Sequence, residues 1–157
     1  DLPGAPAAMH AIDYIEQPTS RDLASYTYTL HAISARKPVL IDESLDRLEN
    51  LERLQPQGWS GLALKSCKGQ THSLLAYCWG RVQGLFMTVQ DLTNPGLALV
   101  HSANLCAHLA LDVTCFEANS HQYAPDACPQ EQAAYPDFFH VHDGVITLPD
   151  APPMGLY

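Results

Sequence analysis

This sequence of 157 residues has no apolar run close to the ~20 residues that a membrane-spanning helix needs. It is poor in cations, with 8 Lys and Arg against 17 Asp and Glu, and a net charge of −9. Nucleic acid and anionic membrane surfaces are bound through basic patches, so neither is expected as a partner. Its eight histidines form no H-E-x-x-H motif and show no paired Cys/His ligand spacing, which argues against zinc. No G-x-G-x-x-G or G-x-x-x-x-G-K loop is present to cradle phosphates, and no serine sits in a G-x-S-x-G elbow. The five cysteines, Cys67, Cys78, Cys106, Cys115 and Cys128, are odd in number and lack C-x-x-C spacing. Most lie in apolar surroundings, so we expect buried, reduced thiols in a cytoplasmic protein rather than a disulfide framework.

What is there is an ordinary globular composition, 46% hydrophobic, arranged in short apolar runs that each end on a charge. The terminal residues are Glu16, Asp42, Lys65, Asp91 and Glu117, spaced 26, 23, 26 and 26 residues apart. That period fits one strand, one helix and two loops. Charges at the C-terminal tips of successive parallel strands are where a β/α barrel keeps its active site.

The chain alternates accordingly. Strands are predicted at 11–16, 38–42, 61–65, 85–90 and 113–117. A helix capped by Ser20 is expected from about Arg21 to Ala35, and Ser44 is placed to cap a second. In that second helix Leu45, Leu48, Leu51 and Leu54 recur every three residues, as a face packing on a sheet does. Gln55-Pro56-Gln57-Gly58 should end it. Helices are also expected from Thr71 to about Val82, after a Gly69 turn, and from Leu97 to Leu109. Strict alternation implies a parallel sheet with right-handed crossovers. Residues 121–137 are rich in Pro, Gln and Ala, and residues 139–148 read as two short strands around Asp143-Gly144.

Glu16 and Asp42 stand on adjacent strand tips, and neighbouring strands lie about 4.8 Å apart. Two carboxylates so close repel unless a cation sits between them, and Mg²⁺ takes oxygen ligands. Glu43 competes with Asp42, because alternation turns only one of the two inward. Lys65 ends an apolar strand and can serve as a general base beside a divalent cation, with Lys68 as the alternative. Asp91 and Glu117 continue the ring of tips. Gln90, Asn119 and Ser120 are polar neighbours able to orient a ligand.

At Tyr14-Ile15-Glu16-Gln17-Pro18, Ile41-Asp42-Glu43-Ser44 and Ala63-Leu64-Lys65-Ser66-Cys67-Lys68-Gly69, the chain resembles the enolase superfamily, in its mandelate racemase and muconate lactonizing enzyme branch. The three motifs occur in that family's order and at about its spacing. The resemblance covers roughly residues 11–120. It implies the C-terminal part, about five strands, of a TIM-type (β/α)7β barrel. Residues 1–120 would supply barrel strands four to eight, and residues 121–157 a C-terminal extension containing the hairpin. Glu16 and Asp42 would be the second and third ligands of a catalytic Mg²⁺, and Lys65 the acid/base lysine. Lys68, Asp91, Glu117 and Asn119 would contact substrate.

The implied activity is Mg²⁺-dependent removal of the proton α to a substrate carboxylate through an enediolate. Racemisation, epimerisation, cycloisomerisation and dehydration all share that step. The implied partners are a small carboxylate substrate, further copies of the chain in a homo-oligomer, and an N-terminal half with its capping domain. The first metal ligand and the lysine pair of the second barrel strand would lie in that half. Gln90-Asp91 stands where the racemase type has histidine, which argues against a His/Lys base pair. The competing readings are a catalytically silent or truncated relative, and an unrelated aldolase-like barrel in which Lys65 forms a Schiff base.

Overall fold

A computed structural model describes residues 4–25, 28–90, 93–113 and 115–148. The protein is α/β, with a five-stranded parallel sheet ordered as the strands occur in the chain, and a separate antiparallel hairpin. The strands are β1 (Ile15–Glu16), β2 (Val39–Ile41), β3 (Gly61–Lys65), β4 (Phe86–Gln90) and β5 (Phe116–Glu117). The hairpin is β6 (Val141–His142) and β7 (Val145–Ile146). Helices are α1 (Ala5–His10), α2 (His31–Ser34), α3 (Leu51–Gln57), α4 (Gln70–Gln83), α5 (Leu97–His108), α6 (Ser120–Tyr123), α7 (Pro129–Ala134) and α8 (Pro136–Phe139). The chain divides into two compact units, one of Asp1–Ala63 with Leu74–Met87, the other of Leu64–Ser73 with Thr88–Tyr157.

In the first unit, β1 pairs with β2 and β2 with β3, with Glu16 opposite Leu40 and Leu40 opposite Gly61. Val39, Leu40 and Ile41 are fully buried, as strands covered on both faces of a parallel sheet are. Leu54, Trp59, Leu62 and Met87 complete this core. Each such side chain contributes about 1.5–3 kcal/mol through removal of apolar area from water. Gly61 is required by close packing: a Cβ there would come within 2.6 Å of the Phe86 carbonyl and 2.7 Å of Leu40 Cδ1. Gly58 ends α3 at φ 84°, a left-handed cap that residues with a Cβ rarely adopt.

In the second unit, β4 pairs with β5, placing Gln90 opposite Glu117. Leu99, Val100 and Ala103 of α5 pack with Phe138 and Phe139 of α8. Asp143 and Gly144 both take positive φ, 50° and 77°, so the hairpin closes on the turn expected for Asp-Gly.

Several expectations need correction. Among the described residues of 21–35 the expected helix is not formed. The described residues there form a 3₁₀ turn at Leu23–Ser25 and the one-turn α2. Strand 11–16 contracts to Ile15–Glu16, and strand 113–117 to Phe116–Glu117. Ser44 caps no helix; a 3₁₀ turn at Leu48–Asn50 leads into α3. Pro56 lies inside α3 rather than after it. The five cysteines are free thiols, but none is buried: Cys67, Cys78 and Cys115 are exposed, and Cys106 and Cys128 half-buried. Cys78 illustrates why, since it shares the outward face of α4 with the exposed Leu74, Leu75 and Val82. Residues 121–137, which gave no periodic signal, contain α7 and parts of α6 and α8.

Candidate functional site

The first unit carries the two candidate metal ligands. Paired residues in a parallel sheet point to the same face, and so do residues two apart in one strand. Glu16 is opposite Leu40, and Asp42 follows Leu40 by two, so Glu16 and Asp42 belong to one face. Glu16 is half-buried. Asp42 is only 3% exposed, just past the end of β2.

Asp42 and Glu43 are now distinguished. Glu43 Oε1 accepts a hydrogen bond from Arg21 Nη2 at 2.9 Å in an ion pair exposed to water. The backbone turns directly after Asp42, with the Leu45 N–H donating to its carbonyl at 2.8 Å. Asp42 is therefore the inward carboxylate of the two.

The loop that holds Asp42 is bonded from β1. Gln17 Oε1 accepts the backbone N–H groups of Asp42 at 2.9 Å and Ser44 at 3.3 Å. Gln17 Nε2 donates to Ser44 Oγ at 2.9 Å, and that hydroxyl donates to the Arg21 carbonyl at 2.8 Å. Asn50 Nδ2 donates to the Ser44 carbonyl at 2.7 Å. No spacing rule marks an amide such as that of Gln17 as a long-range clamp, so the sequence carries no signal for this role.

A cavity of about 1190 Å³ in this unit is lined by residues that include Arg21, Arg47 and Arg53 and the acids Asp22, Asp46, Glu49 and Glu52. Its mixed charge selects neither anion nor cation.

The second unit carries the remaining candidates. Lys65, at the end of β3, is only 6% exposed. Its carbonyl accepts Ser73 Oγ at 2.9 Å, which fixes the start of α4 against the strand. Next to it the Ser66 and Ser102 hydroxyls share a short hydrogen bond that ties the 3₁₀ turn Ser66–Lys68 to α5. Lys68 is half-buried and Gln90 buried. Glu117, opposite Gln90, is exposed. Asn119 Oδ1 accepts Thr93 Oγ1 at 2.8 Å, and Asn119 precedes α6. Asp91 lies outside the described residues.

Two further side chains are half-buried in unusual surroundings. Both ring nitrogens of His121 are buried without a hydrogen-bond partner, and the ring packs edge-on to Phe139 with centroids 5.8 Å apart. Burial, with Cys115 as a second cause, pushes the Cys106 thiol up to about 11 from its ordinary 9.0.

Among the described residues no group of three His, Cys, Asp or Glu side chains forms a ready metal cage. Glu16 and Asp42 supply two hard oxygen donors, which suits a cation that keeps several waters. Among the described residues no helix is long and apolar enough to cross a membrane. Compared with protein-family models and with curated proteins, the chain matches none.

Proposed function

We propose that this chain is part of a TIM-type (β/α) barrel enzyme that removes the proton α to a substrate carboxylate with the help of Mg²⁺. The observation that carries this reading is the fate of adjacent acids: Asp42 is held inward at 3% exposure while Glu43 is drawn to Arg21 in water. Asp42 is thus a buried carboxylate on a strand tip, on the same sheet face as Glu16. The resemblance of the three strand-end motifs to the mandelate racemase and muconate lactonizing enzyme branch supports reading the pair as ligands of Mg²⁺.

Glu16 and Asp42 would hold the cation, and the donor set is of the hard oxygen type that Mg²⁺ prefers. When bound, the metal would supply positive charge against the second negative charge that develops on the substrate carboxylate. Lys65 is the residue to take the proton. Its short-range environment is rigid, because its carbonyl is fixed by Ser73 and the following turn by Ser66 and Ser102. General base catalysis contributes about 10²–10⁴-fold, so the lysine would carry only part of the acceleration. Lys68, Asp91, Glu117 and Asn119 are the candidates for substrate contacts, and Asn119 is already oriented by Thr93. The overall reaction would be a racemisation, epimerisation, cycloisomerisation or dehydration.

The test is α-proton exchange in D₂O on the full-length protein, N-terminal half included, with Mg²⁺ and pooled carboxylic acids: sugar acids, dipeptides, N-acylamino acids and muconates. Deuterium uptake that requires Mg²⁺, read by mass spectrometry, is the expected result. Tight Mg²⁺ binding with no uptake in any pool would instead favour a catalytically silent relative. Neither uptake nor Mg²⁺ binding would remove the reading of Glu16 and Asp42 as ligands.

A further inference from the structure

Gln17 occupies an unusual position. It directly follows Glu16, and its backbone N–H continues the sheet ladder by donating to the Leu40 carbonyl at 2.9 Å. Its φ is 34°, in the left-handed region that non-glycine residues enter rarely and at a cost. Strain of this kind persists where surrounding bonds over-determine the backbone. Here the side chain supplies those bonds, since one amide group makes three hydrogen bonds to the Asp42–Ser44 segment.

An amide is the side-chain group that can do this. The segment presents two N–H donors and one hydroxyl whose proton is already committed to the Arg21 carbonyl. The residue bridging them must accept twice and donate once. A carboxylate lacks the donor, and an ammonium or guanidinium lacks the acceptor.

The consequence is geometric. One residue is bonded through its main chain next to Glu16 and through its side chain to the backbone of Asp42. It therefore fixes the positions from which both carboxylates project. The geometry points to Gln17 as a positioning residue that sets the spacing of Glu16 and Asp42 for a divalent cation. The inference rests on the proposal that Asp42 is a cation ligand. Groups that orient ligands from behind typically change metal affinity about 10- to 100-fold when removed.

Mg²⁺ demands near-ideal octahedral geometry, whereas Ca²⁺ tolerates flexible, irregular coordination. Loosening Asp42 should therefore penalise Mg²⁺ more than Ca²⁺, which a purely structural clamp would not do. The experiment is calorimetric titration of the full-length protein, N-terminal half included, with Mg²⁺ and with Ca²⁺, for the wild type, Gln17→Met, Ser44→Ala and Asp42→Asn. Thermal unfolding without metal is recorded alongside.

Gln17→Met keeps the length and loses every bond; about a 10- to 100-fold loss of Mg²⁺ affinity is expected, with a smaller loss for Ca²⁺. Ser44→Ala, which keeps the two N–H bonds, should fall between Gln17→Met and the wild type. Wild-type Mg²⁺ affinity in Gln17→Met, with binding lost in Asp42→Asn, would overturn the role of Gln17 and leave Asp42 as a ligand. Equal loss of both ions with a lowered melting temperature would make the clamp structural only. If Gln17→Met does not fold, Ser44→Ala decides, and an unchanged Mg²⁺ to Ca²⁺ ratio there overturns the inference. Absence of Mg²⁺ binding in the wild type, or unchanged binding in Asp42→Asn, would remove the reading of Asp42 itself.

Discussion

Arg21 and Glu43 form an ion pair of 2.9 Å on the surface of the first unit, and the pair draws Glu43 outward beside the buried Asp42. Neither partner is deeply desolvated, so the pair itself is worth only about 0.2–1 kcal/mol. Its importance is in sorting two adjacent acids. Asp42→Asn should abolish divalent-cation binding, while Glu43→Gln should leave it within a few-fold of the wild type. Calorimetric titration with Mg²⁺ checks both; the reverse order would make Glu43 the ligand.

The two lysines are separated in the same way. Lys65 is buried at the end of β3, and Lys68 is half-buried one turn later. Lys65→Ala should lower α-proton exchange by about 10²-fold or more, the share of a general base, and leave Mg²⁺ affinity largely intact. Lys68→Ala should act on substrate affinity instead. Exchange rates measured against substrate concentration distinguish them, and unchanged exchange in Lys65→Ala would end its assignment as the base.

Packing at Gly61 gives a prediction independent of function. An added methyl group would meet the Phe86 carbonyl, which is backbone and cannot swing aside. Gly61→Ala should destabilise by about 1–3 kcal/mol, the usual cost of overpacking a filled core. Denaturant unfolding followed by circular dichroism measures it.

Cys106 sets a limit on the alkaline side. The unfolded chain releases this proton near 9.0, whereas the folded chain keeps it up to about 11. The folded state therefore binds the proton more tightly, and its stability falls as pH rises from about 9 through 11. The contribution is fully present below pH 9. Melting temperatures of wild type and Cys106→Ala should diverge least at pH 11, and a constant gap across that window would contradict the burial of this thiol. At pH 8, thiol reagents should label the exposed Cys67, Cys78 and Cys115 well before Cys106.

Much of the fold was legible because some segments satisfy local rules without competition. Gly61–Lys65 is an uninterrupted apolar run bounded by glycine and a charge, and β3 spans those residues. α5 and the Asp143-Gly144 hairpin also fall within one residue or on the turn expected. The segment 21–35 carries a misleading signal because Ser20 and the flanking residues mimic a cap, while Tyr28 and Thr29 lose side-chain freedom in a helix. Ser44 was misread for a different reason. Its hydroxyl is taken by Gln17 and Arg21, 27 and 23 residues away, and local spacing carries no information about such partners. The same long-range bonding hid Gln17.

The order of the sheet has a consequence for how the chain acquires its structure. Ile15 pairs with Val39, Leu40 with Gly61 and Val89 with Phe116, so partners lie 24, 21 and 27 residues apart. The entropy of closing loops of such similar length differs by only about 0.2 kcal/mol. None of these three pairings has to wait for a distant segment. Each strand meets its neighbour as soon as the next 20 to 30 residues exist, so a chain emerging from its N-terminal end can lay down the sheet in order of synthesis, one strand at a time.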